Sequence, residues 1–206
     1  MKLLALDSSI LSKFSVSRQL THSFVNHWQQ MHPDTTVTYR DLHAQPINHL
    51  SNSILSAGTL DATQIAPSIK EELDLSQQLI SEFLSSDVIV IGAPMYNFSI
   101  SSQLKTWIDR VLVTGKTFKY VDGNVQGLAG GKQVYIISSR GGFYNAEPMQ
   151  SLDHQERYLT TVFNFVGIND IRFIRAEGVN MGEQIRNQSL QQAEAQIREL
   201  FEFQVA

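Results

Sequence analysis

VIVIGAPMYNF, at residues 88–98, is the stretch of sequence that decides the fold. Its first four residues are apolar and β-branched, a pattern typical of a strand buried on both faces in the middle of a parallel sheet. Gly92, Ala93 and Pro94 are expected to end this strand, because proline donates no ladder hydrogen bond and restricts the residue before it. The stretch therefore predicts a central strand followed at once by a loop.

The loop at residues 95–98 is apolar for a surface turn. Met95, Tyr96 and Phe98 surround a single amide, that of Asn97. This combination suits a flat heteroaromatic ring with polar edges, and open α/β sheets bind their ligands at the carboxyl ends of the strands. A second interpretation stays open, in which these side chains only close the top of the sheet.

Strands and helices alternate on both sides of this stretch. Further strands are predicted at residues 3–6, 36–39, 132–139 and 170–176, and helices from about residue 15 and at 67–85, 100–113, 152–166 and 189–203. Residues 41–66 form a long excursion, and residues 117–123 an extended arm with a turn. This alternation predicts an α/β fold with a five-stranded parallel sheet and helices on both faces. No repeat or linker divides the chain, so residues 1–206 are expected to form a single domain.

A hydroxyl-rich turn joins the first strand to the first helix. It contains Ser9, Ser15 and Ser17, and a helix N-terminus with free N–H groups and hydroxyls is suited to a phosphate. The turn lacks the G-x-G-x-x-G pattern of dinucleotide sites, so a terminal monophosphate fits better than a pyrophosphate. Helix capping by Ser15 or Ser17 explains the same residues, and Arg18 after them is either an added charge or a solvated helix residue.

A second glycine-containing loop follows the fourth strand, at residues 139–142. Its paired glycines let backbone N–H groups approach a flat ligand, although a plain strand-to-helix turn would use glycine too. The strand order 2-1-3-4-5 would bring the ends of strands one, three and four around one crevice. Three weak signals then meet at one place, which predicts a site for a flat mononucleotide.

Composition excludes several classes of protein. The 206 residues are 42% hydrophobic and 17% charged with a net charge of -4, which is typical of a globular protein and argues against nucleic-acid or anionic-membrane binding. The chain has no cysteine, so disulfides and thiolate metal sites are excluded, and its six histidines show no metal-binding spacing. No signal peptide or membrane-spanning stretch is evident, and a cytoplasmic location is expected.

At these residues the sequence resembles the FMN-dependent NADH azoreductases, a flavodoxin-like family that also reduces quinones. The matching segments are Ser8-Ser9 with Ser15-Val16-Ser17, Ala93-Pro94-Met95-Tyr96-Asn97-Phe98, Ser139-Arg140-Gly141-Gly142, Gln103-Leu104-Lys105 and Ala176-Glu177-Gly178. The resemblance covers the whole chain. It implies a flavodoxin-like fold with FMN as the cofactor and NAD(P)H as the electron donor.

The resemblance also implies roles for individual residues. The FMN phosphate would be held by Ser9, Ser15, Val16 and Ser17, and the ring by Met95, Tyr96, Asn97, Phe98, Ser139, Arg140, Gly141 and Gly142. The family works as a homodimer with its active site near the interface, and its substrate pocket uses aromatic residues that match Tyr120 and Phe165. Core packing on a helix explains Phe165 equally well.

The expected activity is electron transfer from NAD(P)H through FMN to quinones and azo compounds by a ping-pong mechanism, with no dedicated protein nucleophile. One alternative is a flavodoxin-type electron carrier without its own small-molecule substrate. A serine hydrolase is the other, but the chain has no G-x-S-x-G motif. Whether His154 donates a proton to a substrate, and whether residues 143–145 contact it, stays open.

Overall fold

The computed structural model describes residues 1–59 and 61–202. In these ranges the strands are β1 (Lys2–Asp7), β2 (Thr36–Asp41), β3 (Val88–Pro94), β4 (Phe118–Val121), β5 (Asn124–Gly127), β6 (Gln133–Ser139) and β7 (Asp170–Ala176). The α-helices are α1 (Val16–Met31), α2 (Asn52–Ser56), α3 (Pro67–Ser85), α4 (Ser102–Val111), α5 (Gln155–Phe165) and α6 (Glu183–Glu202). No helix within the described ranges combines the length and the apolarity needed to cross a membrane.

The main sheet has five parallel strands in the order β2-β1-β3-β6-β7. The predicted order, 2-1-3-4-5, is the same arrangement, because the predicted fourth and fifth strands are β6 and β7 in the structure. Those two, β4 and β5, form a separate antiparallel hairpin between the third and fourth strands of the main sheet. The arm predicted at residues 117–123 is the first half of this hairpin.

Strand β3 lies at the centre of the sheet, and all seven of its residues are buried. The expectation that Gly92 and Ala93 end the strand was wrong, because pairing continues to Pro94, which lies opposite Ser139. Proline is tolerated there since it is the last residue of the ladder. Gly92 is required by packing, because a Cβ atom at this position would lie 2.8 Å from both Asp7 Oδ1 and Thr21 Oγ1.

Helices cover both faces of the sheet. One core cluster joins α1 and α6 to the sheet through side chains such as Phe24, Tyr135 and Ile197. The other joins α3, α4 and α5 to the opposite face and includes Trp107 and Phe163. Successive side chains of a strand point to opposite faces, so the apolar runs of β1, β3 and β6 supply both clusters.

Helices α4, α5 and α6 differ from the predicted ranges, and α4 is two residues shorter at each end than the predicted 100–113. Helix α6 begins at Glu183, earlier than the predicted residue 189, because its first residues are largely exposed and show no apolar period. The predicted last residue of that helix, Phe203, lies outside the described residues. Helix α5 begins at Gln155, after a short 3-10 helix at Met149–Leu152, and the excursion between β2 and α3 contains α2.

Arginines lie along both edges of the sheet. On the β2 edge, Arg40 donates to Glu82 of α3, with 2.7 Å between Nη2 and Oε1. On the β7 edge, Arg172 pairs with Asp170 at 2.9 Å and Arg175 with Glu156 at 2.7 Å. Edge strands that carry charged side chains resist pairing with another chain.

Candidate functional site

The loops after β1, β3 and β6 meet at the carboxyl end of the sheet. They surround a cavity of about 60 Å³. Ten of its lining residues come from these strand ends and loops and from the start of α1: Ser9, Leu11, Phe14, Ser15, Val16, Pro94, Met95, Tyr96, Ser139 and Gly141. The structure therefore brings together members of all three segments that the sequence singled out.

The serines before and within α1 form one buried group. Ser15 caps the helix, since its Oγ accepts a hydrogen bond of 3.2 Å from the Arg18 N–H, and the Ser17 Oγ lies 3.1 Å from it. The N–H groups of Val16 and Ser17 have no acceptor among the described residues. Capping and anion binding are thus compatible here, because the cap leaves two first-turn amides free.

Hydrogen bonds tie the three loops to one another. The Ser9 Oγ lies 3.3 Å from the Tyr96 hydroxyl, which also accepts from the Ile10 N–H at 3.3 Å. The Met95 N–H donates to the Ser139 carbonyl at 2.8 Å. These direct contacts between the loops fix the positions of the cavity walls relative to one another.

A tight turn at residues 96–99 presents Asn97 and Phe98. Tyr96 and Ser99 exchange two backbone hydrogen bonds of 2.9 and 3.0 Å. Both central residues are in the left-handed region, with φ of 47° at Asn97 and 70° at Phe98. Asparagine tolerates this region but a bulky aromatic residue rarely adopts it, and such outliers are concentrated at functional sites.

The glycine loop offers free donors next to the cavity. The N–H groups of Gly141 and Gly142 have no acceptor within residues 1–59 and 61–202. Gly141 lines the cavity, and a Cβ atom there would lie 2.9 Å from Asn180 Nδ2. Glycine at this position therefore lets the Asn180 side chain pack directly against the loop.

A fourth segment, after β7, completes the cavity and was missed by the sequence analysis. Val179, Asn180 and Arg186 line it. The N–H groups of Val179 and Asn180 donate to the carbonyls of Arg140 and Gly141 at 3.0 and 3.1 Å, which fastens this segment to the glycine loop. The Ala176-Glu177-Gly178 match to the resembled family was the one signal near it. Leu11 and Phe14, which also line the cavity, had no signal.

Arg140 faces away from the cavity. Its side chain is 2% exposed and is surrounded by the carboxylates of Asp153 at 2.8 Å, Glu177 at 3.2 Å and Glu156. Its Nε donates to the Ser138 Oγ at 3.1 Å. The side chain is therefore surrounded by protein groups on the side away from the cavity.

The Arg140 cluster holds two of the site loops. Ser138 Oγ donates to Gln155 Oε1 at 2.9 Å, and Gln155 Nε2 donates to the Ala93 carbonyl at 2.9 Å. On the other side, Glu177 Oε1 accepts from the Tyr144 N–H at 2.9 Å. The strand that leads into residues 95–98 and the loop at 139–144 are thereby joined through the start of α5.

Charged groups beside α1 are paired among themselves. Tyr39 donates to Asp7 Oδ2 at 2.6 Å, and Arg18 donates to Asp41 Oδ2 at 2.6 Å. Burial raises the pKa of Asp7, although the Tyr39 hydrogen bond and the Arg18 charge act to lower it, and burial also raises the pKa of Tyr39. Arg18 is therefore not a solvated residue: its Nη1 is engaged by Asp41 and Tyr39, and its Nε and Nη2 are buried without a partner among the described residues.

Tyr120 and Phe165 do not line the cavity. Both contact Phe118 of β4, with ring centroids 5.9 Å and 4.7 Å away. Tyr120 is 62% exposed on the hairpin, whereas Phe165 packs against the core cluster of α3, α4 and α5. The exposed His154 donates its N–H to the Phe98 carbonyl at 3.1 Å. No group of three or more His, Cys, Asp or Glu residues in the described ranges could hold a metal ion.

Comparison with known proteins identifies the family of the chain. A family model described as a flavodoxin-like fold matches residues 1–201. An FMN-dependent NADH:quinone oxidoreductase of Legionella pneumophila is 70% identical over 206 residues, which is 100% of both chains. The chain belongs to this flavodoxin-like family.

Two solved structures superimpose on nearly the whole chain. An azoreductase from Bacillus anthracis is 25% identical with a TM-score of 0.83, covering 97% of this chain and 99% of the other. An FMN-dependent NADH-azoreductase from the same species, solved in complex with FMN, has a TM-score of 0.86 at 22% identity, covering 97% and 98%. The second likeness shows the fold alone.

Proposed function

We propose that the chain is an FMN-dependent oxidoreductase that transfers electrons from NADH or NADPH to quinones and azo compounds. The observation that carries the proposal is the meeting of three strand-end loops around a cavity with free N–H and hydroxyl donors. The 70% identity to a relative named as an FMN-dependent NADH:quinone oxidoreductase supports it.

The donors at the cavity fit FMN. The amides of Val16 and Ser17 and the hydroxyls of Ser9, Ser15 and Ser17 suit a phosphate monoester. A cavity of 60 Å³ is far smaller than the roughly 300–1,000 Å³ that encloses a whole ligand. It would take only the phosphate end, so the ring would lie at the open rim formed by the other two loops.

The ring would contact the loops after β3 and β6. Bound FMN supplies hydride acceptance and electron transfer, and the protein supplies position and electrostatics. Met95, Tyr96, Asn97 and Phe98 would form one wall, and Ser139, Gly141 and Gly142 the other. The free N–H groups of Gly141 and Gly142 would donate to the polar edge of the ring and stabilise negative charge there. Arg140 would act by holding these loops.

An open rim leaves one ring face for both reactants. NAD(P)H and the electron acceptor would then occupy the same place in turn, which gives ping-pong kinetics. Quinones and azo compounds are proposed as acceptors because relatives are named as quinone oxidoreductases and azoreductases. We also propose that the chain forms a single domain. We place it in the cytoplasm, and the lack of cysteine supports this location.

A homodimer is part of the proposal. A groove of about 690 Å³ lies between α2, α3 and α4 and is lined by apolar side chains such as Leu50, Leu55 and Leu112. Leu55 is 64% exposed. A second copy of the chain would cover this groove. Because Tyr120 and Phe165 do not line the cavity of their own chain, we propose that they contact substrate at the site of the other copy.

The experiment that tests the function is a visible spectrum of the purified protein before and after NADH is added. We expect a yellow protein that loses its colour with NADH and regains it with a simple benzoquinone. Steady-state rates at several fixed quinone concentrations should give parallel double-reciprocal lines, as ping-pong kinetics require. A protein that fails to take up FMN would contradict the whole assignment.

The same experiment separates the enzyme from an electron carrier. Steady NADH oxidation with benzoquinone in the absence of any partner protein supports the enzyme. FMN binding with reduction only when a partner reductase is added would instead identify a carrier. An azo dye in place of benzoquinone tests the second class of acceptor.

A further inference from the structure

We propose that Arg186 of α6 binds the phosphate of the cofactor and makes the site selective for a phosphorylated flavin. The inference rests on the proposed function and deepens it. Arg186 lies far along the chain from every segment that the sequence analysis assigned to the site. It lines the same cavity as Ser9, Ser15 and Val16.

Arg186 is the one charged residue among the described residues that line this cavity. A phosphate monoester held only by hydroxyls and amide dipoles would keep its full negative charge without a counterion. Guanidinium groups bind phosphates through charge-assisted hydrogen bonds that are about twice as strong as neutral ones. The position of Arg186 supplies the group that the serines lack.

The guanidinium of Arg186 is free to take a ligand. Within the part of the chain that the structure describes, it forms no ion pair. Its side chain makes one hydrogen bond, from an Nη atom to the Phe14 carbonyl, and this bond is long at 3.4 Å. A guanidinium has five N–H donors, so most of its donors remain available. This bond to the Phe14 carbonyl places the Arg186 guanidinium next to the turn that leads into α1.

Two other cations lie near the phosphate serines, and one of them, Arg18, keeps its Nε and Nη2 without a partner among the described residues. Arg18 donates to Asp41 at 2.6 Å and to the Tyr39 hydroxyl at 2.7 Å. Lys13 lies over the exposed Phe14 ring, with its Nζ 5.2 Å from the ring centroid. Neither of them lines the cavity. Arg186 is therefore the cation placed to neutralise the phosphate.

The test compares FMN with riboflavin, which has the same ring and no phosphate. The full-length chain is freed of flavin by dialysis, and both flavins are titrated by quenching of their fluorescence. We expect Arg186→Gln to raise the Kd for FMN about tenfold and to leave the Kd for riboflavin unchanged. Arg186→Lys should recover part of the loss, and the FMN Kd of Arg186→Gln should depend less on salt than that of the wild type.

Arg198 provides the matched control. It is exposed on the same helix and forms no ion pair among the described residues. Arg198→Gln removes the same charge from the chain but should leave both Kd values unchanged.

Equal weakening of FMN and riboflavin in Arg186→Gln would overturn the proposal, because Arg186 would then support the fold and not the phosphate. An unchanged FMN Kd would overturn it as well. In both cases FMN still binds the wild type, so the proposed function survives. A wild-type chain that binds neither flavin would contradict the function and this inference together.

Discussion

Arg140 lies next to the candidate site, but its side chain forms ion pairs with other residues of the protein. Its guanidinium is buried among the carboxylates of Asp153, Glu156 and Glu177. Breaking a buried ion pair by removing one partner leaves uncompensated charge in a low-dielectric environment. The three carboxylates would then repel one another where the loops at residues 93–98 and 139–144 are joined.

Arg140→Met is therefore expected to lower the free energy of unfolding by about 3–5 kcal/mol. Denaturation in urea, followed by circular dichroism, measures the change. Arg157→Met is the control, because Arg157 is exposed on α5 and its side chain has no partner among the described residues. This control should stay within about 0.5 kcal/mol of the wild type. Equal stability of the two variants would show that the cluster does not hold the loops.

Asp41 connects two elements, since it ends β2 and accepts from Arg18 in the first turn of α1. Burial acts to raise the pKa of Asp41, but hydrogen bonds from Arg18 and from the N–H groups of Ala44 and His43 outweigh it. The pKa is therefore lowered from its ordinary value of 3.8. A lowered pKa contributes stability above the unfolded-state value, and this contribution is lost as the pH falls through the folded-state value.

Asp41→Asn should thus be less stable than the wild type by about 1 kcal/mol near neutral pH, with the difference shrinking at acidic pH below the ordinary pKa. Urea denaturation at a series of pH values gives this difference directly. Asp34→Asn is the control, because Asp34 is exposed and has no hydrogen-bond partner in the described chain, and it should stay within about 0.5 kcal/mol of the wild type. A constant deficit for Asp41→Asn down to about pH 3 would contradict the linkage.

The hairpin β4–β5 depends on a glycine where two backbones touch. A Cβ atom on Gly127 would lie 2.2 Å from Gly167 N and from Val166 C, at the end of α5. No rotamer change relieves a clash with backbone atoms. The position of the hairpin, and with it that of Tyr120, is therefore set by Gly127.

Gly127→Ala is expected to lower the free energy of unfolding by about 1–3 kcal/mol and to shift the hairpin away from α5. If Tyr120 contacts substrate, the KM for the quinone should rise while the Kd for FMN stays the same. Gly58→Ala is the control, because no atom of the described residues other than its two chain neighbours lies within 4 Å of its added Cβ. Wild-type stability and KM in Gly127→Ala would exclude this role of the hairpin.

The whole molecule is proposed to act as a pair of chains. Size-exclusion chromatography with light scattering should give twice the mass of 23.2 kDa for the wild type. Leu55→Glu places a charge in the apolar groove and should shift the protein toward the mass of one chain. Met31→Glu, at a 39% exposed position on α1 across the sheet, should remain paired. A monomeric wild type, or a Leu55→Glu variant that stays paired, would reject this interface.

The strands and the three loops after them were accessible from the sequence because buried parallel strands carry continuous β-branched runs, as at residues 88–91, and the strand order followed from the doubly wound arrangement of such sheets. Arg186 was not accessible, because its place in the cavity depends on how α6 packs on the sheet and no local pattern marks it. The burial of the Arg140 side chain could not be predicted from the sequence for the same reason. Its partners Asp153 and Glu177 come from separate elements, and only the folded chain brings them together.

The arginines on β2 and β7 bear on how the protein behaves when it is concentrated. If a strand of a neighbouring molecule paired with either edge strand, its backbone would meet these guanidinium groups and their carboxylate partners. Growth into fibres by continuation of the ladder is therefore obstructed at both ends. The homodimer proposed above would instead use helical surfaces, and a two-fold pair of that kind is closed.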